Sequence, residues 1–186
     1  MIPRDPVELP AVLETGGRRY TVQRAVEADV EPIVELLADD SLGARRESAD
    51  AEVYLRAFRA IDADPQHLLI VLRGEPGKPE QAGEQAPEYP LGHAEEAPLL
   101  GTMQLTLIPG LSRAGATRLQ IESVRLAASV RGAGVGTALF DWAHQYGRAH
   151  GASLAQLTTD RSRLDARRFY EHLGYAPSHD GMKRPL

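Results

Sequence analysis

The sequence predicts a mixed α/β fold, a sheet flanked by helices, and three observations lead there. Apolar periodicity switches between the two-residue repeat of strands and the three-to-four repeat of helices, in the order β-α-α-β-β-β-α-β-α-β. Residues 100–108 and 118–126 are neighbouring strand-like runs joined through Pro109-Gly110 and the stretch up to Ala116, which predicts antiparallel pairing. Residues 120–151 read as a strand that runs through a Gly-rich turn into an amphipathic helix.

Each element follows from its local pattern. Residues 1–17 are Pro-rich and end in Gly16-Gly17, which predicts a flexible N-terminal arm ahead of a single domain over 18–186. Residues 18–24 alternate Tyr20 and Val22 with polar neighbours and predict the first strand. A helix follows, with Asp29 as N-cap, Pro32 in the first turn, and Val30, Ile33, Val34 and Leu37 on its apolar face. A second helix over 48–62 aligns Ala51, Tyr54, Leu55, Phe58 and Ile61, and Pro65 stops it. Residues 67–73 form a buried-type strand. Residues 74–98 then turn acidic and rich in Pro, Gly and Gln, the composition of a flexible insertion. On the central helix Val135, Leu139, Trp142, Ala143 and Tyr146 share one face, and Gly151 ends it. A strand at 154–158, a helix at 165–173 capped by Asp165 and ended by Gly174, and a last strand at 175–179 complete the chain.

Composition narrows the function. A chain of 186 residues suits one domain. A net charge of −5 leaves no basic stripe to neutralise phosphates, so a nucleic-acid partner is not expected, while a cationic amine is compatible. There is no cysteine, which removes disulfides, thiolate metal sites and an acyl-cysteine intermediate, and suits a cytoplasmic protein. The stretch 1–10 lacks the apolar core of a signal peptide, and the apolar run 68–72 is too short for a membrane span. No two of the six histidines stand at i, i+4, so no metal is expected.

The turn Arg131-Gly132-Ala133-Gly134-Val135-Gly136 removes side chains at three of six positions and carries one cation. Glycines let backbone N–H groups approach a ligand, and a helix N-terminus adds partial positive charge; together they suit a phosphate or pyrophosphate. A P-loop would need Lys after the last glycine, and the dinucleotide fingerprint would need Gly where Thr137 stands. What remains, R-G-x-G-x-G after the strand I-E-x-V-x-L, closely resembles the GNAT superfamily of acyl-CoA-dependent N-acetyltransferases. The likeness runs from Arg18 to the C-terminus. The segment 165–175, DARRFYEHLGY, is similar to that family's A-x-x-F/L-Y-x-x-x-G-F/Y, and the tail is similar to the branch of aminoalkylphosphonate acetyltransferases.

The resemblance implies a mostly antiparallel central sheet and acetyl-CoA as co-substrate. It implies that the backbone of Val124, Arg125 and Leu126 holds the thioester and pantetheine. Arg131, Gly132, Ala133, Gly134, Val135, Gly136 and Thr137 correspond to the pyrophosphate loop. Tyr170 corresponds to the tyrosine that protonates the leaving thiolate. Glu122 corresponds to a base position, acting through water, since a carboxylate abstracts an ammonium proton poorly at neutral pH. A bulge near Val124 would free an N–H for the developing oxyanion. Without cysteine, the expected route is direct attack of a small-molecule amine in a ternary complex, and the resemblance allows a homodimer. Two departures stand out: Ala128 replaces a frequent Pro, and Arg163 replaces a frequent Asn that contacts the coenzyme. Alternatives are acetylation of a protein lysine or N-terminus, and a non-catalytic acyl-CoA-binding regulatory module.

Overall fold

The computed structural model describes residues 7–39, 50–74 and 97–185. Six strands form one sheet in chain order: β1 (Ala11–Thr15), β2 (Arg18–Arg24), β3 (His67–Gly74), β4 (Leu99–Pro109), β5 (Thr117–Leu126) and β6 (Ala152–Leu157). Every neighbouring pair is antiparallel except β5 and β6, which run parallel. The parallel pair needs a crossover, and α4 (Val135–Ala149) supplies it. Helices α1 (Val30–Ala38) and α2 (Ala51–Ala63) pack on the other face. A four-residue turn, α3 (Ser112–Gly115), caps the β4–β5 hairpin, and α5 (Leu164–His172) follows β6.

Strand alternation divides the apolar residues between two cores. Leu68, Ile70 and Leu72 of β3, Met103 and Leu105 of β4 and Leu119 and Ile121 of β5 meet Val135, Leu139, Phe140, Trp142 and Ala143 of α4. Leu69 and Val71 point the opposite way, toward Val30, Ile33 and Phe58 of α1 and α2. Gly147 allows α4 to lie close on the sheet: a Cβ there would stand 2.9 Å from Leu119 Cδ2. The start of α1 is fixed by Asp29, which is 3% exposed, accepts a hydrogen bond from the Val26 N–H at 2.9 Å and pairs with Arg73 of β3. Asp50 caps α2 by accepting from the Glu52 N–H at 3.1 Å.

Four expectations need correction or a limit. Residues 7–17 are not a loose arm: Val7 is 5% exposed in the α4-side core, and β1 forms a hairpin with β2 through Gly16 and Gly17, both at positive φ. Alternation across only five residues, with Val12 pointing outward, hid this strand among prolines. Residues 175–179 form no strand. Pro177 cannot donate to a ladder, and the Ser178 N–H turns back to the Ala176 carbonyl. His179 is exposed and bonded to its neighbour, Ser178. Asp165 is not the cap of α5; Arg163 holds that position, and Asp165 pairs with Arg168 within the first turn. The expected insertion at 74–98 lies outside the described residues apart from its ends, where the Gly74 N–H meets the Pro98 carbonyl at 3.3 Å. Among the described residues no helix is long and apolar enough to cross a membrane.

Deleting residues 1–15 is expected to destabilise the protein cooperatively, since burying Val7 alone contributes about 1.5–3 kcal/mol and the β1–β2 ladder is lost with it. Urea denaturation checks this; an unchanged midpoint would restore the flexible-arm reading.

Candidate active site

The site grows from an irregularity in β5. The β4–β5 register passes from Gln104↔Glu122 to Thr102↔Arg125, so one residue of β4 faces two of β5. Ser123 absorbs the extra residue at φ 52°, in the left-handed region. The bulge inverts the facing of everything after it. Val124 and Leu126 turn to the α4 side and pack on that core, whereas Glu122 and Arg125 share the α1–α2 side. The Arg125 guanidinium donates to the Val124 carbonyl at 2.9 Å, which holds the bulged peptide in one orientation.

A gap opens at the same place. β5 stays paired with β4 as far as Leu126↔Gly101, but its pairing with β6 stops at Ile121↔Leu157. From Glu122 onward, the edge of β5 that faced β6 has no strand partner among the described residues. An opening between two parallel strands with backbone polar groups along one wall can receive an extended chain carrying amide groups.

The Gly-rich turn lies at the mouth of this gap. Gly132 and Gly134 have φ 79° and 77°, and α4 starts from Gly134 with no side-chain cap. Its first N–H groups therefore lack intrahelical acceptors and point at whatever lies beyond the helix end. Thr15 of β1 donates to the Ala133 carbonyl at 3.1 Å, tying the turn to the edge strand that sequence reasoning missed. Gly136 serves packing: a Cβ there would stand 3.1 Å from the Phe169 ring. Val135 is buried and Thr137 is exposed on the first turn. Arg131 Nε donates to the Leu126 carbonyl at 3.0 Å, and its guanidinium lies 3.8 Å from Asp39 at the end of α1.

Tyr170 of α5 reaches the same region on the α4 side. Its ring packs against Phe140 and Phe169, each with centroids 5.6 Å away, and against Tyr175 at 6.2 Å. Burial lifts its phenol above the ordinary tyrosine value, and the positive charges of Arg163 and Arg125 only partly oppose this. Tyr170 is thus a protonated donor at neutral pH. Behind it, the Tyr175 hydroxyl and His144 Nε2 are 2.7 Å apart. Burial chiefly, then Arg148, lowers the His144 pKa, while burial raises that of Tyr175, so this pair is neutral as well. Neither residue carried a functional signal in the sequence. Glu122 is exposed, across the sheet from Tyr170. Among the described residues, no three His, Asp or Glu side chains gather as a metal site would require.

Comparison with known proteins agrees with this geometry. The model of the acetyltransferase (GNAT) family matches residues 33–175. An aminoalkylphosphonate N-acetyltransferase from Salmonella typhimurium is 38% identical over 67 residues, 36% of this chain; the match spans 44% of that protein, less than half its length. A structure described as a transcriptional regulator from Bacillus halodurans C-125 superposes with a TM-score of 0.73 at 37% identity, covering 90% of this chain and 99% of the other. A structure from Clostridium acetobutylicum, described as a predicted acetyltransferase with acetyl-CoA, shares the fold with a TM-score of 0.62 at 13% identity, covering 90% and 96% of the two chains.

Ser123→Val is expected to cost about 1–2 kcal/mol, because a β-branched residue resists positive φ, while Ser123→Gly keeps the bulge. Urea denaturation of the two variants checks this, and equal midpoints would remove the strained bulge from the account.

Proposed function

The chain belongs to the acetyltransferase (GNAT) family and is an acyltransferase, and from that premise we propose that it transfers acetyl from acetyl-CoA to a primary amine of a small molecule, in the cytoplasm. The observation that carries this reading is the gap beside bulged β5, which opens toward the uncapped start of α4.

The residues present fit acetyl-CoA as a co-substrate. Positive-φ Gly132 and Gly134 and the free first turn of α4 suit its pyrophosphate, with Arg131 adding a cation. The unpaired edge of β5 around Val124 suits the amides of its pantetheine arm. Acetyl-CoA supplies an activated thioester; this chain's residues orient it and move protons. The bulged Val124 N–H donates to the thioester oxygen as that oxygen gains charge. The amine approaches from the Glu122 face and gives up its proton there through water. Its nitrogen forms the new bond to the acetyl carbon, the carbon–sulfur bond breaks, and Tyr170 protonates the departing sulfur. Base and acid work from opposite faces of the sheet, so the proton lost and the proton gained do not compete for one site.

The test is a thiol-release assay across a panel of primary amines. Tyr170→Phe should lower kcat about 10²-fold or more while coenzyme affinity holds. The sign of the pH effect follows from the raised phenol: the acid is the protonated form, so its alkaline loss of activity moves above the range of an ordinary tyrosine, and Tyr170 causes no fall in kcat near neutral pH. A Phe variant with full kcat would remove Tyr170 from the reaction.

Arg131→Ala, at an exposed position, should weaken coenzyme binding about tenfold, or about 1.4 kcal/mol, by titration calorimetry. An unchanged affinity would leave the backbone of the turn as the sole grip.

A second reading, a coenzyme-binding regulatory module, is favoured by the 37% identity to the Bacillus halodurans structure described as a transcriptional regulator. It requires thermal stabilisation by acetyl-CoA with no turnover of any amine.

A further inference from the structure

Register brings together four polar residues that lie far apart in the chain. His67 pairs with Thr106, Thr106 with Gln120, and Gln120 with Gln156, so one row crosses β3, β4, β5 and β6 on a single face. The row is internally bonded: Thr106 Oγ1 meets His67 Nδ1 at 2.9 Å, and Gln156 Nε2 donates to Gln120 Oε1 at 2.7 Å. All four side chains are half-buried. This is the α1–α2 side of the sheet, where the buried residues are Val71 of β3, Thr102 of β4, Ala25, and Val30, Ile33 and Phe58 of the helices. Beyond Thr102 the face over β4, β5 and β6 is half-buried or exposed and forms a polar floor, bounded on one side by the row Ile108, Arg118 and Leu154. Gln104 and Glu122, paired with each other, form the next row up, two residues or ~7 Å along the strands.

A bland sheet face would alternate single polar residues among apolar ones or carry charges for solubility. This floor instead presents amides and a hydroxyl, running from the edge strand to the carboxylate beside the bulge. The Gln156-to-Gln120 bond uses one amide donor and one amide acceptor, and the Gln120 N–H₂ and the Gln156 side-chain carbonyl are the groups of this pair that remain to bond a ligand.

We propose that this floor is the acceptor-binding surface and that the acceptor is a small primary amine bearing uncharged hydroxyl or amide groups. The inference rests on the acetyltransferase reading and adds the substrate class to it. Glu122 draws the ammonium group to the end of the floor nearest Val124. Gln104, Thr106, Gln120 and Gln156 read neutral polar groups on the remainder. An alkylamine would cover these amides without pairing them, which a site built on hydrogen bonds penalises heavily. An acceptor with a phosphonate or carboxylate tail would find no cation among these four readers: Arg125, on the same face, donates to the Val124 carbonyl, and Arg118 lies in the row beyond, between Ile108 and Leu154.

Steady-state kinetics of the whole protein with three amines decides the matter: 2-amino-1,3-propanediol, isopropylamine and 2-aminoethylphosphonate. The diol should exceed both others in kcat/KM at least about tenfold. Gln120→Leu should raise the KM for the diol about tenfold and leave the KM for acetyl-CoA alone, narrowing the gap to isopropylamine. Gln156→Leu, on the edge strand, should act the same way, and it serves if Gln120→Leu folds poorly; a retained rise in Tm with coenzyme certifies either variant. A preference for isopropylamine or the phosphonate overturns the proposal, as do two folded variants with unchanged discrimination. Those outcomes leave the acetyltransferase reading standing. Absence of turnover with every amine overturns that reading and this one together.

Discussion

The one extra residue in β5 is the constraint on which the site depends. An unbroken strand would put Val124 and Leu126 on the same face as Glu122, and Arg125 against α4. The left-handed Ser123 costs about 1–2 kcal/mol. Fully burying a Val or Leu yields about 1.5–3 kcal/mol, so even the partial burial of Val124 and Leu126 against the α4 core offsets that cost. The strain is therefore held by packing, with the Arg125 contact to the Val124 carbonyl as a second restraint. Because β6 leaves the sheet at the residue before Glu122, the distorted peptide faces an opening and not another strand.

That constraint was partly legible in the chain. Apolar residues at 121, 124 and 126 break the two-residue repeat by one position, and a strand that keeps its core contacts through such a break must bulge. The helices and the strands from β2 to β6 were legible for the usual reason, that each carries its own periodicity. β1 was not, because five residues give too short a repeat to outweigh surrounding prolines. The expected last strand failed for the complementary reason: Tyr175 and Ala176 look strand-like, but Tyr175 is packed by aromatic contacts with α4 and α5 and not by a ladder, and Ala176 is exposed. The polar row was illegible in principle. His67, Thr106, Gln120 and Gln156 acquire a common meaning only from register across four strands, and the long connections between β3 and β4 and between β5 and β6 leave that register without a local turn to fix it.

The glycines of the turn show how one motif serves several physical ends. Gly132 and Gly134 answer a backbone demand, since both sit at positive φ. Gly136 answers a packing demand, because the Phe169 ring occupies the place of its missing side chain. That contact sets α5 against the first turn of α4, and the next residue along α5 is Tyr170. A motif read as phosphate-binding thus also positions Tyr170, the proposed proton donor. The same economy links Thr15, whose hydroxyl fixes the Ala133 carbonyl, to the edge hairpin.

The two faces of the sheet are specialised in opposite ways, and the reason is electrostatic. On the α4 side, aromatic rings and buried aliphatics keep Tyr170, Tyr175 and His144 neutral, which a proton donor requires. On the other side buried Asp29 and half-buried Arg73 form a pair whose desolvation is compensated by close mutual contact, by the Val26 N–H on Asp29 and by the Ala97 carbonyl that Arg73 reaches at 2.8 Å. That pair fixes the start of α1 over the sheet, and α1 ends at Asp39, within 3.8 Å of Arg131. The helix therefore spans from the sheet interior to the cation of the Gly-rich turn. A ligand anion held at the turn, as proposed, would compete with Asp39 for the Arg131 guanidinium. The polar floor proposed to receive the acceptor lies on that same side of the sheet, so the proposed acceptor surface and the Asp29–Arg73 pair share one face.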